Sequence, residues 1–330
     1  MGDRRARRGG HETVPEQEQM IVDIAPLGEG DLATADRIFR LAFGTFLGLP
    51  DPVQFMGDAT LVAPRWRAAP EASFGAYIDG ELVGSNLAAR WGRFGFFGPL
   101  TIHPDHWGRG IASRLVAATM EAFDRWGIAQ RGLFTFPDSA KHISLYGKFG
   151  FVRQAPTRVM VRGTGATKGT AARASAMDAD AFASAMLAAQ ALTAAIEPGL
   201  DLSSEIAAVA VQRLGDTLFL HDDGGLAGFA VCHVGAGSEA GSDAAYVKFG
   251  AVRPGAGASG RFARLIDTCD AFAASAGAAR LIAGVNAARN EALRMMVDAG
   301  FAPMIEGVAM QQPDRPGFNR PDCFVIDDWR

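Results

Sequence analysis

HPDHWGRGIASRL, residues 103–115, places a glycine turn directly before an apolar helical pattern. The run GFFGPLTI that precedes it is typical of a strand, so the order is strand, turn and helix. Such an order gathers unpaired backbone N–H groups at the positive end of a helix dipole, which together stabilise an anion. Gly108 and Gly110 permit close approach to the backbone, and Arg109 adds a positive charge. We expect this turn to bind a pyrophosphate.

Two better-known phosphate-binding motifs do not fit this turn. A P-loop requires Gly-Lys-Ser/Thr, which is absent here, and the dinucleotide-binding fingerprint requires a third glycine. Taken alone, the turn is therefore also compatible with an ordinary helix start that binds nothing. Motifs elsewhere in the chain are needed to distinguish these two interpretations.

The later part of the chain repeats the pattern of the earlier part. Pro104 and Pro254 are 150 residues apart, and so are Gly150 and Gly300. Hairpin, strand and helix patterns follow one another in the same order around both positions. A constant offset indicates a duplicated unit, and 330 residues suffice for two. The pattern predicts an α/β fold of α+β arrangement, with two tandem units that each have a mixed sheet flanked by helices.

Changes in composition divide the chain into four segments. Residues 1–19 are polar and partly basic, and we expect a disordered tail there. Residues 20–162 form the first unit. Residues 163–171, rich in Gly, Thr and Ala, form a linker, and residues 172–330 form the second unit.

Charge and composition argue against several classes of partner. With a net charge of −4, the chain lacks the excess of basic residues that is typical of nucleic-acid-binding proteins. Cys232, Cys269 and Cys323 are far apart and lack metal-ligand spacing, so neither a disulfide scaffold nor a metal site is expected. No apolar run reaches the length of a membrane span. We expect a cytoplasmic protein without metal, membrane or nucleic-acid partners.

The glycine turn and the later motif SAKHISLYGKFGF, residues 139–151, together resemble the GNAT superfamily of acetyl-CoA-dependent N-acetyltransferases. The turn of that family reads Gln/Arg-x-x-Gly-x-Gly/Ala. Gly110 and Ala112 match it, whereas Trp107 stands in place of the usual polar residue. This difference removes one polar contact and leaves the backbone cradle intact.

The second motif of the family reads Asn-x-x-Ala-x-x-Leu-Tyr and is followed by Gly-Phe. Tyr146 and the leucine before it match, as do Gly150 and the phenylalanine after it. Ser139 replaces the asparagine and His142 replaces the alanine. The resemblance spans about residues 21–161, including the order of elements.

The resemblance implies a splayed sheet that binds acetyl-CoA as co-substrate and transfers acetyl to a primary amine of a small molecule by direct attack. Backbone groups of the strand before the turn would hold the pantetheine arm and polarise the thioester carbonyl. Tyr146 would protonate the departing thiolate as general acid. The residues implied to contact the co-substrate are Leu100, Thr101, Ile102, Trp107, Gly108, Arg109, Gly110, Ile111, Ala112, Ser113 and Ser139.

The sequence does not identify the general base that the amine requires. His103 lies at the strand end, and His142 lies one helical turn before Tyr146. Each histidine is either catalytic or a structural, capping or solvated residue. Asp79 and Glu81 lie in a hairpin turn and are most simply solvated.

The second unit departs from the first at the positions that carry the chemistry. At the offset of 150, Gly260 stands where the first unit has its second turn glycine, and Arg261 and Phe262 follow it. A phenylalanine ring in the first helical turn would crowd a pyrophosphate. Met296 replaces Tyr146, and a thioether cannot donate a proton. We expect the second unit to be catalytically silent, and to pack against the first or to build a wall of its substrate site.

Three other functions are compatible with these motifs. The chain could be a non-catalytic acyl-CoA-binding regulatory protein, because a duplicated unit that has lost its catalytic residues can serve regulation. It could act like mycothiol synthase, which also has two such units but carries its chemistry in the later one. It could acetylate proteins instead of small amines. The sequence leaves open whether the chain is a monomer or a homodimer.

Overall fold

The computed structural model describes residues 21–165 and 169–330. The predicted tail, residues 1–19, lies outside the described residues, and so do residues 166–168 of the predicted linker. Just before this gap, Oγ1 of Thr164 donates a 2.8 Å hydrogen bond to the carbonyl oxygen of Ala278. The described start of the linker is therefore attached to the later part of the chain.

We call the described residues 21–165 the N-terminal half. Its α-helices and strands are β1 (Asp23–Pro26), α1 (Leu32–Phe46), α2 (Val62–Ala68), β2 (Ser73–Ile78), β3 (Glu81–Trp91), β4 (Phe94–Phe97), β5 (Thr101–Ile102), α3 (Ile111–Arg125), β6 (Gln130–Thr135), α4 (Ala140–Gly147) and β7 (Val152–Gly163). They follow the order expected from the sequence, except that the run GFFGPLTI, expected to be one strand, is divided into β4 and β5.

The described residues 169–330, the C-terminal half, contain a closely similar series of elements. They are β8 (Ala172–Arg173), α5 (Ala179–Ile196), α6 (Ser203–Gln212), β9 (Gly215–Asp222), β10 (Gly225–Gly235), β11 (Gly241–Val252), α7 (Ala258–Ser275), β12 (Arg280–Asn286), α8 (Asn290–Asp298), β13 (Ala302–Gln312) and β14 (Val325–Ile326). The predicted α/β class with a mixed sheet and flanking helices is confirmed.

Local chemistry explains the hairpin that opens the N-terminal sheet. Asp79 and Gly80 connect β2 to β3 with positive φ angles of 50° and 84°, as an Asp-Gly hairpin turn requires. The last strand of the N-terminal half, β7, runs without a break from Val152 to Gly163. Pro156 does not interrupt β7, because the facing strand β13 has a shift in register beside it, between Val308 and Met310.

The two halves share one continuous sheet. Its order is β1-β2-β3-β4-β6-β13-β7-β12-β11-β10-β9-β8, with β5 added on β3 and β14 added on β11. β13, the late strand of the C-terminal half, lies between β6 and β7, and β7 lies between β13 and β12. Each half therefore has its sheet extended by the last long strand of the other.

Helix α5 has the length and composition of a membrane span, and it is the one such helix among the described residues. This finding corrects the expectation that no apolar segment reaches that length. One face of α5 nevertheless packs against the sheet of the C-terminal half through Ala185, Ala189, Leu192 and Ile196. This buried face of α5 thus contributes to the packing of the C-terminal half.

A buried cluster of charges joins the two halves. Arg65 on α2 places Nε 2.9 Å from Oε1 of Glu239, and Nζ of Lys248 on β11 lies 2.5 Å from the same oxygen. All three side chains are buried. Burial alone would raise the pKa of Glu239, but Arg65 and Lys248 hold that pKa well below its usual value. The carboxylate thus stays ionised and binds both cations.

The first prediction concerns this cluster. Glu239→Gln leaves two buried cations without their counter-charge, so we expect the free energy of unfolding to fall by about 3 kcal/mol. Glu306→Gln is the matched control, since Glu306 forms an exposed ion pair with Arg158 across the same two halves and should cost less than about 1 kcal/mol. Denaturant unfolding measures both variants. Equal losses would show that the buried cluster does not stabilise the junction.

Candidate active site

One cavity of about 570 Å³ lies in the N-terminal half beside the glycine turn. Its walls come from α1, β5, the turn, the start of α3, the end of β6 and α4. All twelve residues that the sequence assigned to catalysis or co-substrate binding line it: Leu100, Thr101, Ile102, Trp107, Gly108, Arg109, Gly110, Ile111, Ala112, Ser113, Ser139 and Tyr146. Residues separated by up to 46 positions in the chain thus meet at one place.

The glycine turn has the left-handed backbone that its sequence requires. Gly108 and Gly110 have φ angles of 79° and 77°, a region that favours glycine. Gly110 is the N-cap of α3 and has no side chain to cap the helix, so the first N–H groups of α3 can turn to a ligand. Trp107, which replaces the usual polar residue, donates from Nε1 to the Ile102 carbonyl oxygen at 2.7 Å. The indole therefore fastens the turn to β5.

The sheet opens where the cavity begins. β4 and β6 are paired in parallel only up to Phe96 and Gly132. Beyond that point β5 pairs with β3, through Thr101 and Ile102, and has no pairing to β6. The edge of β5 that faces away from β3 therefore borders the cavity, as the implied splay requires.

The charge of the cavity suits an anion even though the whole chain is mildly acidic. Arg109, Lys141 and Lys148 line it, and no aspartate or glutamate is among its described lining residues. Nζ of Lys141 lies 5.9 Å from the centre of the Trp107 ring, at the turn. Lys141 and Lys148 both lie within the motif of residues 139–151, but the resemblance assigns neither of them a role.

Tyr146 lies on α4 with its ring buried against Phe97, at a centroid distance of 5.8 Å. Burial raises the pKa of Tyr146 well above its usual value. The phenol therefore stays protonated throughout the neutral and mildly alkaline range. This is the protonation state that a proton donor needs.

The structure separates the two histidines considered as bases. His103 is outside the cavity lining and caps a short 3₁₀ turn, where its Nδ1 accepts a hydrogen bond from the Asp105 backbone N–H. His142 lines the cavity one helical turn from Tyr146. Burial, and then the charge of Lys141, lower the pKa of His142. Its imidazole is therefore neutral at pH 7.

An aromatic wall closes the cavity on the side of α1, where Phe43 and Phe46 line it. The ring centroids of Phe46 and Phe136 are 4.9 Å apart, and that of Phe46 is 5.2 Å from the ring of His142. The helical spacing of Phe43 and Phe46 predicted burial, but the contact with residues of α4 and β6 depends on the tertiary fold.

Comparison with known proteins bears on this geometry. Residues 37–151 match the acetyltransferase (GNAT) family, and this stretch contains the turn, the tyrosine motif and every lining residue of the cavity. Residues 37–151 are a GNAT acetyltransferase domain. No curated protein matches the sequence.

Solved structures extend the similarity in fold beyond the GNAT domain. A candidate acetyltransferase from Pyrococcus horikoshii is 14% identical with a TM-score of 0.64, and the match covers 98% of this chain and 99% of that one. A GCN5-related N-acetyltransferase from Sphaerobacter thermophilus is 16% identical with a TM-score of 0.56, over 92% and 98% of the two chains. At these identities the likeness concerns the fold, which here includes both halves.

In the C-terminal half, the turn glycines are not those that the offset of 150 predicts. Its left-handed turn glycines are Gly255 and Gly257, with φ angles of 89° and 77°, and Gly257 is the N-cap of α7. Gly260 lies within α7 and does not correspond to Gly110. Compared with the GNAT domain, the segment between proline and helix is three residues shorter and the helix three residues longer. These two changes cancel, which is why the offset of 150 reappears after the helix.

This shift also changes the roles expected for Arg261 and Phe262. Neither occupies the first residues of α7, where Ala258 and the serine after it stand. The ring of Phe262 is fully buried in the core against Phe324, at a centroid distance of 5.5 Å. Phe262 therefore does not crowd the turn, and this one of the two expected reasons for a silent second unit is wrong. The guanidinium of Arg261 donates to backbone carbonyl oxygens of the turn, including that of Ala256 at 2.8 Å.

The second prediction tests the turn of the GNAT domain. Gly110→Glu puts a carboxylate at the anion-binding point and a Cβ on a left-handed backbone, so acetyl-CoA should bind at least about 10²-fold more weakly. Gly127→Glu is a matched control at the other end of α3, because Gly127 also has a positive φ and open space around it. Isothermal titration calorimetry measures both. Unchanged affinity in Gly110→Glu would contradict the assignment.

Proposed function

We propose that the chain is an N-acetyltransferase that transfers the acetyl group of acetyl-CoA to a primary amine of a small molecule. The observation that supports this most strongly is the single cavity that combines the left-handed glycine turn, the open edge of β5 and the buried Tyr146. The basic residues at the turn would face the phosphates of coenzyme A, and the open edge would pair with the amides of its pantetheine arm.

The proposed reaction is a direct attack without a covalent enzyme intermediate. The amine nitrogen forms a bond to the thioester carbonyl carbon, the carbon–sulfur bond breaks, and an amide and a thiolate result. His142 accepts the proton that the amine nitrogen loses. Tyr146 donates its phenolic proton to the thiolate as it leaves, which gives coenzyme A with a free thiol. Transfer of the proton from His142 back to Tyr146 through solvent restores both residues.

The aromatic wall supports a particular class of amine. Phe46 and Phe136 pack against the ring of His142, and Phe43 contacts Phe136 in the same cavity. An acceptor that reaches His142 from the side of these rings would pack its body on them. No acidic residue among the described lining residues is available to pair with a second ammonium group. We therefore propose an amine with one amino group on an aromatic or aliphatic body.

We further propose that residues 172–330 are a second, degenerate GNAT unit, which makes the arrangement tandem. The equal order of elements supports this, and so does one shared detail. The backbone N–H of Phe151 donates to the carbonyl oxygen of Tyr146, and that of Phe301 donates to Met296 in the same way. Met296 thus takes the place of Tyr146 without a proton to donate.

The third prediction tests Tyr146 as general acid. In Tyr146→Phe, kcat for thiol release should fall about 10²-fold while the affinity for acetyl-CoA is unchanged, because only the donor is lost. Tyr77→Phe is the control, since Tyr77 bonds Asp31 and is not among the cavity-lining residues. The assay uses a panel of small primary amines. Amines with an aromatic or aliphatic body should give the highest kcat/KM.

Three outcomes of this assay, with peptides added to the panel, would contradict parts of the proposal. Normal turnover in Tyr146→Phe would remove the acid role from this residue. Tight binding of acetyl-CoA with no turnover for any amine or peptide would favour an acyl-CoA-binding regulatory protein. Turnover with peptides alone would favour protein acetylation.

The fourth prediction concerns His142 as base. A base must be unprotonated, and the pKa of His142 is lowered, so wild-type kcat should fall only as the pH drops below about 6.5. His142→Gln should lower kcat about 10²-fold and remove this acidic decline. His103→Gln is the control, because His103 lies outside the cavity lining. A wild-type pH profile in His142→Gln would show that another group takes the proton.

A further inference from the structure

The C-terminal half has its own pair of diverging strands. β11 and β12 are paired in parallel only up to Val247 and Ala283, and they separate beyond these residues. Val252 of β11 pairs with a glycine of β10, just as Ile102 of β5 pairs with a glycine of β3. We call the gap between the diverging ends of β11 and β12 the second cleft. It corresponds to the place beside β5 where the GNAT domain has its cavity.

In the second cleft the outer edge of β11 is not open. Residues 250–251 pair in antiparallel register with Ile326 and Val325 of β14. The next residue, Asp327, donates from its backbone N–H to the carbonyl oxygen of Gly284 on β12 at 3.0 Å. Residues 324–330, which we call the inserted segment, are thus hydrogen-bonded to both diverging strands. An extended chain lies where a pantetheine arm would otherwise pair.

Buried side chains hold the inserted segment in place. Arg289 stands just before α8, at the position that Ser139 has before α4. Its Nη1 lies 2.5 Å from Oδ2 of Asp327, and its Nη2 donates to the carbonyl oxygen of Asp327 at 3.0 Å. The hydroxyl of Tyr246 donates to Asp328 at 2.8 Å. The resemblance implies that Ser139 contacts the co-substrate. At the corresponding position of the C-terminal half, Arg289 instead binds the inserted segment.

The far end of the inserted segment reaches the GNAT domain. The backbone oxygen of Arg330 accepts a hydrogen bond from the guanidinium of Arg65. Arg65 also donates to the carbonyl oxygen of Gly98 at 2.7 Å, and Gly98 lies just before β5. The segment therefore contacts the side chain that fixes the start of the strand bordering the active cavity.

We propose that the inserted segment takes the place of the pantetheine arm in the second cleft, so that the chain binds one acetyl-CoA, in the GNAT domain. The turn of the second half is not what excludes the ligand, because Gly255 and Gly257 keep the left-handed geometry of the first turn. Exclusion results from backbone pairing and buried ion pairs within the chain. This inference concerns binding alone and does not depend on which amine is acetylated.

Calorimetry and amide exchange test this proposal on the whole chain. Titration with acetyl-CoA should give one equivalent per chain. The backbone amides of residues 325–327 should exchange slowly, at rates that saturating acetyl-CoA leaves unchanged. Two equivalents, or faster exchange of these amides on saturation, would overturn the proposal. A loss of turnover in the Tyr146 variant would leave both of these results unaffected, so the two claims fail separately.

Two variants test directly whether the inserted segment is bound between β11 and β12. A Cβ at Gly284 would lie 2.3 Å from Cβ of Asp328, so Gly284→Ala must displace the segment. A Cβ at Gly250, on the facing strand, would meet its neighbours at an ordinary 3.4 Å or more. We expect the amides of residues 325–327 to exchange at least about tenfold faster in Gly284→Ala than in Gly250→Ala. Equal exchange rates in the two variants would overturn the proposed position of the segment.

A chain that ends at Cys323 tests the exclusion itself. If it folds, as judged by circular dichroism and cooperative unfolding, it should bind a second equivalent of acetyl-CoA. A folded chain without the segment that still binds one equivalent would show that another feature closes the second cleft. If the shortened chain does not fold, calorimetry on the two glycine variants supplies the test: Gly284→Ala should bind more than one equivalent of acetyl-CoA and Gly250→Ala one, and equal stoichiometry would overturn the exclusion.

Discussion

The pairing of β7 with β13 is the contact on which the rest of the structure depends. β7 completes the N-terminal half, and β13 belongs to the C-terminal half, yet each extends the sheet of the other. Both strands are central, so their backbone groups find partners only when the two halves fold together. The buried ion pair of Arg65 and Glu239 crosses the same junction. The chain is therefore one cooperative sheet, with its two clefts at fixed positions.

This shared architecture makes the difference between the clefts informative. The cleft of the GNAT domain is open beside β5 and has basic residues at the turn, whereas the second cleft contains residues 324–330. The buried tyrosine of α4 has a buried methionine as its counterpart in α8. Two independent changes, one of the proposed proton donor and one of the proposed ligand space, thus affect the same half. Both agree with a single working site in each chain.

Much of the fold and of the site follows from local sequence. The Asp-Gly hairpin, the helix after the glycine turn and the α/β class depend on periodicity and turn chemistry, which act over a few residues. The twelve site residues come together because two short motifs sit at the ends of neighbouring strands. The exchange of β7 and β13 could not be predicted in this way, because a strand does not encode which neighbour it pairs with.

The incorrect expectations also have physical explanations. A constant offset of 150 concealed a shorter segment before α7 and a longer α7, so Phe262 was matched to the wrong helical position. The aromatic wall is visible only in the folded chain, because helical spacing predicts burial and does not distinguish a core from a ligand cavity. The inserted segment lies far from β11 in the chain, and its pairing there is a tertiary contact. Long-range contacts of this kind are visible only in the folded chain.

A structure of the protein with acetyl-CoA would show which cleft holds the molecule. We expect one molecule per chain, with its pyrophosphate at Gly108 and Gly110, its pantetheine arm along β5 and its sulfur near Tyr146. The inserted segment should stay paired with β11. Acetyl-CoA in the second cleft with residues 324–330 displaced, or its absence from the cavity of the GNAT domain, would contradict the account.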